Sequence, residues 1–349
     1  KIIILNIFIS KMAHSAVCEE RYPPDSEECQ YVQELEQKAE QGDESAQFAL
    51  GSWYAEGRYV KPDYKLAIKW LEKAGKQGSD FSYFILGYHY NYGENFPLSR
   101  QKALEWYRKA AELGDSSTQE ILGDAYMYGD GFPQNTQLAL EWYRRAAAQG
   151  LAEAQDAIGV MFMQGEGVSQ DYQQALAWYR KAARQGLPAA QTHLGIMSAF
   201  GRGVAQSDRQ AIAWYRKAAK QDFAKAQYQL GVAYSTGRGV PENSRNALKW
   251  YLKAAEQGFT PAQLALGEIY AHGRQGVPKD NKQAYIWYYM ASIYTEKSKD
   301  DCSALIAERN RLKGTLTPDQ LSETYAAFDL IRRKINQSKE AKKIARKKY

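Results

Sequence analysis

A chain of 349 residues exceeds what one compact core accommodates, and it has room for two or three domains or one extended array. Its 44% hydrophobic and 25% charged residues suit a folded soluble protein, and no apolar run reaches the length of a membrane span. Only 3 Cys and 4 His argue against a disulfide-dense scaffold or a multi-site zinc protein; the net charge of +6 is concentrated at the end, where Arg332 to Tyr349 hold nine Lys/Arg against one Glu and leave the body near neutral.

Residues 1–17 read as an export-signal-like segment. Lys1 precedes the apolar run Ile2 to Ile9, and the small residues Ser15 and Ala16 follow. Lys11 and His14 depart from that pattern, and Met12 is a rival start that would leave the protein cytoplasmic. The expectation is a periplasmic or secreted protein. Cys18 and Cys29 can then pair across a short loop with Cys302 as the odd thiol; three unrelated thiols are the other reading. Residues 18–38 are an N-terminal lead-in.

From residue 39 to 291 the chain repeats. Trp recurs at 70, 106, 142, 178, 214, 250 and 287, five times at a spacing of 36 and once at 37. Gly recurs at 51, 87, 123, 159, 195, 231 and 267, always at 36, so the extra residue falls within Gly273 to Val277. Each unit reads as two helices. In the first, Ala46, Leu50 and Tyr54 share one face, and in the second Ala67, Trp70 and Ala74 do. The ladder glycine sits inside the first helix, where it costs about 1 kcal/mol against Ala, so its recurrence predicts a close approach between helices. Asp63, Ser99, Asn135, Asp171, Ser207, Asn243 and Asp280 stand where the second helix needs an N-cap. Gly42, Gly78, Gly114, Gly150, Gly186, Asp222 and Gly258 stand where the preceding helix needs a left-handed terminator. The turns inside the units, such as Gly165-Glu166-Gly167-Val168, lack the strand that precedes a phosphate-binding loop and recur with the period.

The phrase Ala154-Gln155, Gly159, Gly165-Glu166-Gly167-Val168, Asp171, Ala175 and Trp178-Tyr179-Arg180-Lys181-Ala182-Ala183 resembles the Sel-1-like repeat, a branch of the tetratricopeptide-type helical solenoids. The resemblance covers most of the chain. It implies an all-α fold, an α/α superhelical solenoid of about seven 36-residue helix-turn-helix repeats. Two turns depart from the pattern: Gly93-Glu94-Asn95-Phe96 in repeat two, and Tyr59 for the second Gly in repeat one. Some secreted members staple each repeat with a Cys pair, and no repeat here contains Cys.

Beyond Ala291 the period ends. Thr317-Pro318-Asp319-Gln320 predicts an N-cap, a first-turn Pro and a capping-box Gln. Residues 292–334 are expected to form a C-terminal helical cap over the last repeat, and 335–349 a frayed basic tail.

The Trp ladder shares a face with small residues and reads as core, which gives Trp178→Ala an expected cost of about 3–5 kcal/mol. Arg108, Arg144, Arg180 and Arg216, each followed by Lys or Arg, read as a solvated basic ridge; a phosphate-tracking stripe is the alternative. One stripe of the first helix differs in every repeat, and repeats two to five place Phe84, Tyr88, Tyr92, Glu120, Asp124, Tyr128, Asp156 and Phe200 on it. In solenoids of the resembled type the first helix lines the concave groove, which makes these residues the expected partner-binding groove. No His-Glu-x-x-His, Gly-x-Ser-x-Gly or Cys-x-x-Cys motif is present. The sequence therefore assigns no catalytic residue, no metal ligand and no cofactor.

The expected function is a non-catalytic protein-protein interaction scaffold or adaptor holding a peptide or protein partner. The resemblance also admits a cell-wall-related enzyme or ligand-binder. Nucleic-acid binding through the basic ridge and tail is the remaining alternative.

Overall fold

The computed structural model describes Pro23 and residues 26–93, 95–274, 276–295 and 303–347, with backbone alone at 294, 295, 339 and 341–347. The export-like segment, Cys18, Cys302 and the turn residues Glu94 and Gln275 lie outside the described residues. Among those described, seventeen helices and no strand are found. No helix is long and apolar enough to cross a membrane. The chain divides after Asp171 into two compact units.

The first unit holds α1 (Glu27–Glu40), α2 (Glu44–Glu56), α3 (Tyr64–Lys76), α4 (Asp80–Tyr92), α5 (Arg100–Leu113), α6 (Ser116–Tyr128), α7 (Thr136–Ala148) and α8 (Ala152–Gln164). The second holds α9 (Tyr172–Arg184), α10 (Pro188–Phe200), α11 (Asp208–Ala219), α12 (Ala224–Thr236), α13 (Ser244–Ala255), α14 (Thr260–His272), α15 (Asn281–Thr295), α16 (Ser303–Lys313) and α17 (Pro318–Lys347). Helices α2/α3, α4/α5 and α6/α7, and then α10/α11, α12/α13 and α14/α15, pack as the first and second helices of repeats.

The punctuation read from the sequence is present in atomic detail. Asp63, Ser99, Asn135, Ser207, Asn243 and Asp280 each accept a backbone N–H from the first turn of the helix they open. Asp222 adopts φ +54°, taking the left-handed terminator position that Gly fills elsewhere. Tyr59 (φ +61°) and Asn95 (φ +59°) hold the same left-handed turn without glycine. Contacts steady them there: Tyr59 lies 4.6 Å from the Trp53 ring, and Asn95 Nδ2 donates to the Ala55 carbonyl at 3.0 Å. The Thr317 capping box is reciprocal, with Thr317 N–H donating to Gln320 Oε1 (3.0 Å) and Gln320 N–H to Thr317 Oγ1 (3.2 Å).

The interhelical contact is made by a different aromatic ladder from the one expected. A Cβ added to Gly87, Gly123, Gly195, Gly231 or Gly267 would lie 2.4–2.7 Å from the ring of Tyr107, Tyr143, Tyr215, Tyr251 or Tyr288 respectively. These tyrosines follow the ladder tryptophans by one residue and are buried. Trp70 and Trp287 are also buried, but Trp106, Trp142, Trp178, Trp214 and Trp250 are only half-buried. The rotation is the physical reason: one residue along a helix is a 100° turn, and that turn aims Tyr at the glycine. The tryptophans lie at the edge of the core, each roofed by the cation three residues on: Lys109, Arg145, Lys181, Lys217 and Lys253 lie 4.0–5.0 Å from the ring centres. The full core penalty expected for Trp178→Ala therefore does not apply.

A second ladder is polar. Gln47, Gln119 and Gln263 donate to the last-turn carbonyls of Ala39, Ala111 and Ala255, eight residues before them. Gln47, Gln119, Gln191 and Gln227 accept in turn from Gln77, Gln149, Gln221 and Gln257, thirty residues after them. Gln47, Gln119 and Gln263 thus each satisfy a helix-end carbonyl that has no partner within its own helix, while Gln227 donates to Asp222 Oδ1 (3.2 Å). Repeat two replaces both partners at once, with Tyr83 and Leu113, and Gly75 stands where later repeats have Ala, leaving room for the Tyr83 ring.

At the C-terminal end, α16 and α17 cover α15. The order expected to stop at residue 334 continues, since α17 is helical to Lys347. Ile335 is buried against Gly258, and Lys334 Nζ meets Glu256 at 2.7 Å.

Two tests follow from this packing. Gly123→Ala gains about 1 kcal/mol of helix propensity but drives a methyl into Tyr143, so chemical denaturation is expected to show a net loss of about 1–3 kcal/mol. Burial pushes the ladder phenols upward, to about 12 for Tyr251 and Tyr288 against an ordinary 10.0. Between those values the unfolded chain binds fewer protons than the folded one, so stability falls as pH rises. Loss of helix by circular dichroism is expected to coincide with the rise of tyrosinate absorbance above about pH 10.

Candidate partner-binding face

The variable stripe of the first helices stands directly over the tyrosine ladder. The tyrosine ring that lies against Gly123 carries its hydroxyl to a neighbouring residue of the stripe. In repeat three that residue is Asp124, and the Tyr143 hydroxyl donates to Asp124 Oδ1 at 2.5 Å. Burial raises the Asp124 carboxyl above its ordinary value; the Tyr143 hydrogen bond and the Arg100 charge draw it back down. Burial likewise pushes the Tyr143 phenol upward, reinforced by the Asp124 charge and hydrogen bond and then by Tyr128 and Glu120.

Repeat two supplies an aromatic row. Phe48 meets Phe81 at 5.6 Å, Phe81 stacks on Phe84 at 5.7 Å, Phe84 meets Tyr88 at 6.5 Å, and Tyr88 meets Tyr92 at 4.6 Å. Phe84 also lies 5.8 Å from Tyr107, tying the row to the scaffold. Phe81 is 53% exposed, Tyr92 50% and Tyr128 75%, so the row presents apolar surface to solvent.

Arg100 joins the two groups. Its guanidinium holds Asp130 through Nε (2.9 Å) and Nη2 (2.8 Å) and donates from Nη1 to Asn91 (2.9 Å). Its charge reaches both Tyr107, beside Tyr88 and Tyr92, and Asp124. Glu120 and Asp156 are half-buried on α6 and α8. In the first unit the structure thus brings together Phe84, Tyr88 and Tyr92 in one row, and Asp124, Tyr128 and Glu120 around the Tyr143 hydroxyl. Phe200 belongs to the second unit. It is 59% exposed, with Arg202 at 5.4 Å and Arg238 at 5.9 Å from its ring.

Sequence reasoning missed Phe81, Arg100 and the ladder hydroxyls. Phe81 was detectable as a departure from the repeat, since its counterparts are Ser45, Ser117, Glu153, Ala189, Lys225 and Pro261. The tyrosines recur at the same period as the tryptophans, but only the packing says which ladder carries a hydroxyl to the stripe.

The basic ridge has structural work. Its second members roof the tryptophans. Of its first members, Arg108 donates to the Tyr126 hydroxyl (2.5 Å) and lies 4.9 Å from Phe132, while Arg216 donates to Tyr234 (3.4 Å). The three described histidines occupy separate environments: His89 against Phe96, His193 against Tyr179, and His272 at the Glu268 carbonyl. Among the described residues no cluster of His, Cys, Asp and Glu is suited to a metal ion.

The family model described as Sel1 repeat matches residues 44–79, 81–115, 116–151, 152–187, 188–223, 224–259 and 260–292. Among solved structures, the chain is similar to a Sel1 repeat protein from Oxalobacter formigenes, with 35% identity and a TM-score of 0.68 over 81% of this chain and 79% of that one. It is also similar to c5321, described as a protective antigen of uropathogenic Escherichia coli strains with an SLR fold, with 32% identity and a TM-score of 0.63 over 88% of this chain. The match spans 64% of that antigen's length. No curated protein matches the sequence.

The Asp124–Tyr143 contact can be tested directly. Tyr143→Phe keeps the ring and deletes the donor that holds the Asp124 carboxyl down, so carboxyl-detected NMR is expected to show Asp124 titrating at higher pH than in the parent. An unmoved midpoint would mean the hydrogen bond is absent in solution.

Proposed function

The chain belongs to the Sel1 repeat family, and from that premise we propose that it is a non-catalytic scaffold whose first unit holds a peptide or protein partner on the variable face of α4, α6 and α8. Sel1 repeat proteins are generally protein-interaction scaffolds. The observation that carries the proposal is the contrast between two sets of positions on the same helices. The glycines, tyrosines and glutamines that hold helices together recur, while the stripe beside them changes from Phe48, Ser52 and Glu56 to Phe84, Tyr88 and Tyr92 and then to Glu120, Asp124 and Tyr128. Packing demands repetition from the first set and none from the second. Exposed aromatic side chains such as Phe81, Tyr92 and Tyr128 are enriched at protein contact surfaces.

The compartment proposed is the periplasm or the cell exterior. Cys29 is disulfide-bonded, a state that persists in oxidising compartments and is rare in the cytosol.

The test is an affinity capture from separated periplasmic and cytoplasmic extracts, comparing the parent with a combined Tyr88→Ala, Tyr92→Ala, Tyr128→Ala variant of equal melting temperature. Aromatic anchors of an interface are each worth about 2 kcal/mol or more, so capture of the physiological partner is expected to fall by more than about tenfold. A partner held equally by both proteins would remove the face assignment.

A further inference from the structure

We propose that the partner segment held by the first unit is cationic, with an arginine or lysine side chain seated over Asp124 between the tyrosine rings of α4 and α6. This rests on the assignment of that face as the binding surface, and it adds the chemistry of what binds.

The charge on the face has one dominant sign. Glu120 and Asp124 lie on α6 and Asp156 on α8, and the charge of Glu166, in the turn after α8, reaches Tyr128 together with that of Asp124. The Arg100 charge reaches Asp124, and its guanidinium is already engaged by Asp130 and Asn91. At Asp124 and Glu166 an arriving cationic segment meets complementary charge, and an anionic one meets like charge.

The acidic residues do not belong to the scaffold. The matching stripe positions in repeats five and six are Thr192, Ile196 and Phe200, then Tyr228, Val232 and Thr236, with no carboxylate among them. The packing of the repeat therefore does not require acid at 120, 124 or 156. Asp124 in particular occupies a partly desolvated place, held by a single tyrosine hydroxyl on Oδ1. A partly desolvated carboxylate gains more from a cation than an exposed one does, because less water competes for it.

The rings supply the second element of recognition. Tyr128 lies one helical turn beyond Asp124 on α6, so the carboxylate and the exposed ring share a face. Tyr92 stands at the exposed end of the row on α4, beside Tyr88. Tyrosine faces attract ammonium and guanidinium groups through the ring quadrupole, while the aliphatic stem of either side chain packs on the same rings. The scaffold makes this contact within itself, with cations 4.0–5.0 Å from the tryptophan rings of successive repeats.

The experiment uses the full chain at near-physiological ionic strength and three fluorescein-labelled peptides of one length and one Gly-Leu framework. Their charged positions carry Arg, Gln or Glu, and binding is read as fluorescence anisotropy. The Arg peptide is expected to bind at least about tenfold tighter than the Gln peptide, with the Glu peptide weakest. Asp124→Asn keeps an acceptor for the Tyr143 hydroxyl and is expected to weaken the Arg peptide about tenfold while leaving the Gln peptide unchanged. Tyr128→Ala, at an exposed ring, provides the same test without touching the buried contact. Equal binding of the Arg and Gln peptides overturns the inference; if that shared binding is lost in the combined tyrosine variant, the face assignment survives and only the cationic partner falls. Tight Arg-peptide binding that survives Asp124→Asn, Tyr128→Ala and the combined tyrosine variant overturns both.

Discussion

A glycine of one helix laid under a tyrosine ring of the next is the contact on which the rest of this protein depends. Glycine weakens the first helix by about 1 kcal/mol, yet it opens a seat for a ring that removes about 150–250 Å² from water. At about 25 cal/mol per Å² that burial contributes at most about 4–6 kcal/mol, which exceeds the helix penalty. The contact also sets the helix separation, because a Cβ at Gly87 or Gly123 would come within 2.4 Å of the ring. Repeat one uses the same seat for Leu71, so the requirement is for a large apolar side chain opposite the glycine.

From this seat the neighbouring positions acquire their roles. The residue before the tyrosine is turned to the core edge, which leaves the tryptophans half-buried and within reach of a cation one turn away. A row of arginines and lysines that suggests a nucleic-acid stripe in the sequence thereby becomes part of the packing. The glutamine ladder serves the helix ends, joining carbonyls eight residues back to amides thirty residues ahead. Repeat two gives up that ladder for Tyr83 and Leu113 and compensates with Gly75. The same repeat carries the aromatic row on its outer face, so the departure from the pattern accompanies a gain in exposed aromatic surface.

The same seat builds the candidate site. The tyrosine ring is scaffold and its buried hydroxyl reaches the stripe, so Tyr143 connects the two by holding Asp124. Arg100 performs a similar service, bracing the end of α4 through Asn91 and the α6–α7 turn through Asp130 while its charge reaches the Asp124 carboxyl. The face is thus fixed in place by residues whose partners are already determined. Phe81, Tyr92 and Tyr128 present ring surface to solvent on that face.

The sequence alone determined the period, the helix boundaries and the caps, because each depends on local chemistry. An N-cap oxygen bonds within its own first turn, and a left-handed terminator acts on its own backbone, so Asp63 and Asp222 could be read without knowing their neighbours. The variable stripe was legible for the same reason, since a fixed frame exposes what departs from it. Tertiary structure alone decided which of two adjacent aromatic residues enters the core. Trp and Tyr recur with one period, and only the 100° between them, set against the glycine of another helix, separates core from edge. The same dependence on a distant partner hid Arg100, Phe81 and the Tyr143–Asp124 bond, and it let α17 remain ordered past residue 334, where Ile335 finds Gly258 far away in the chain.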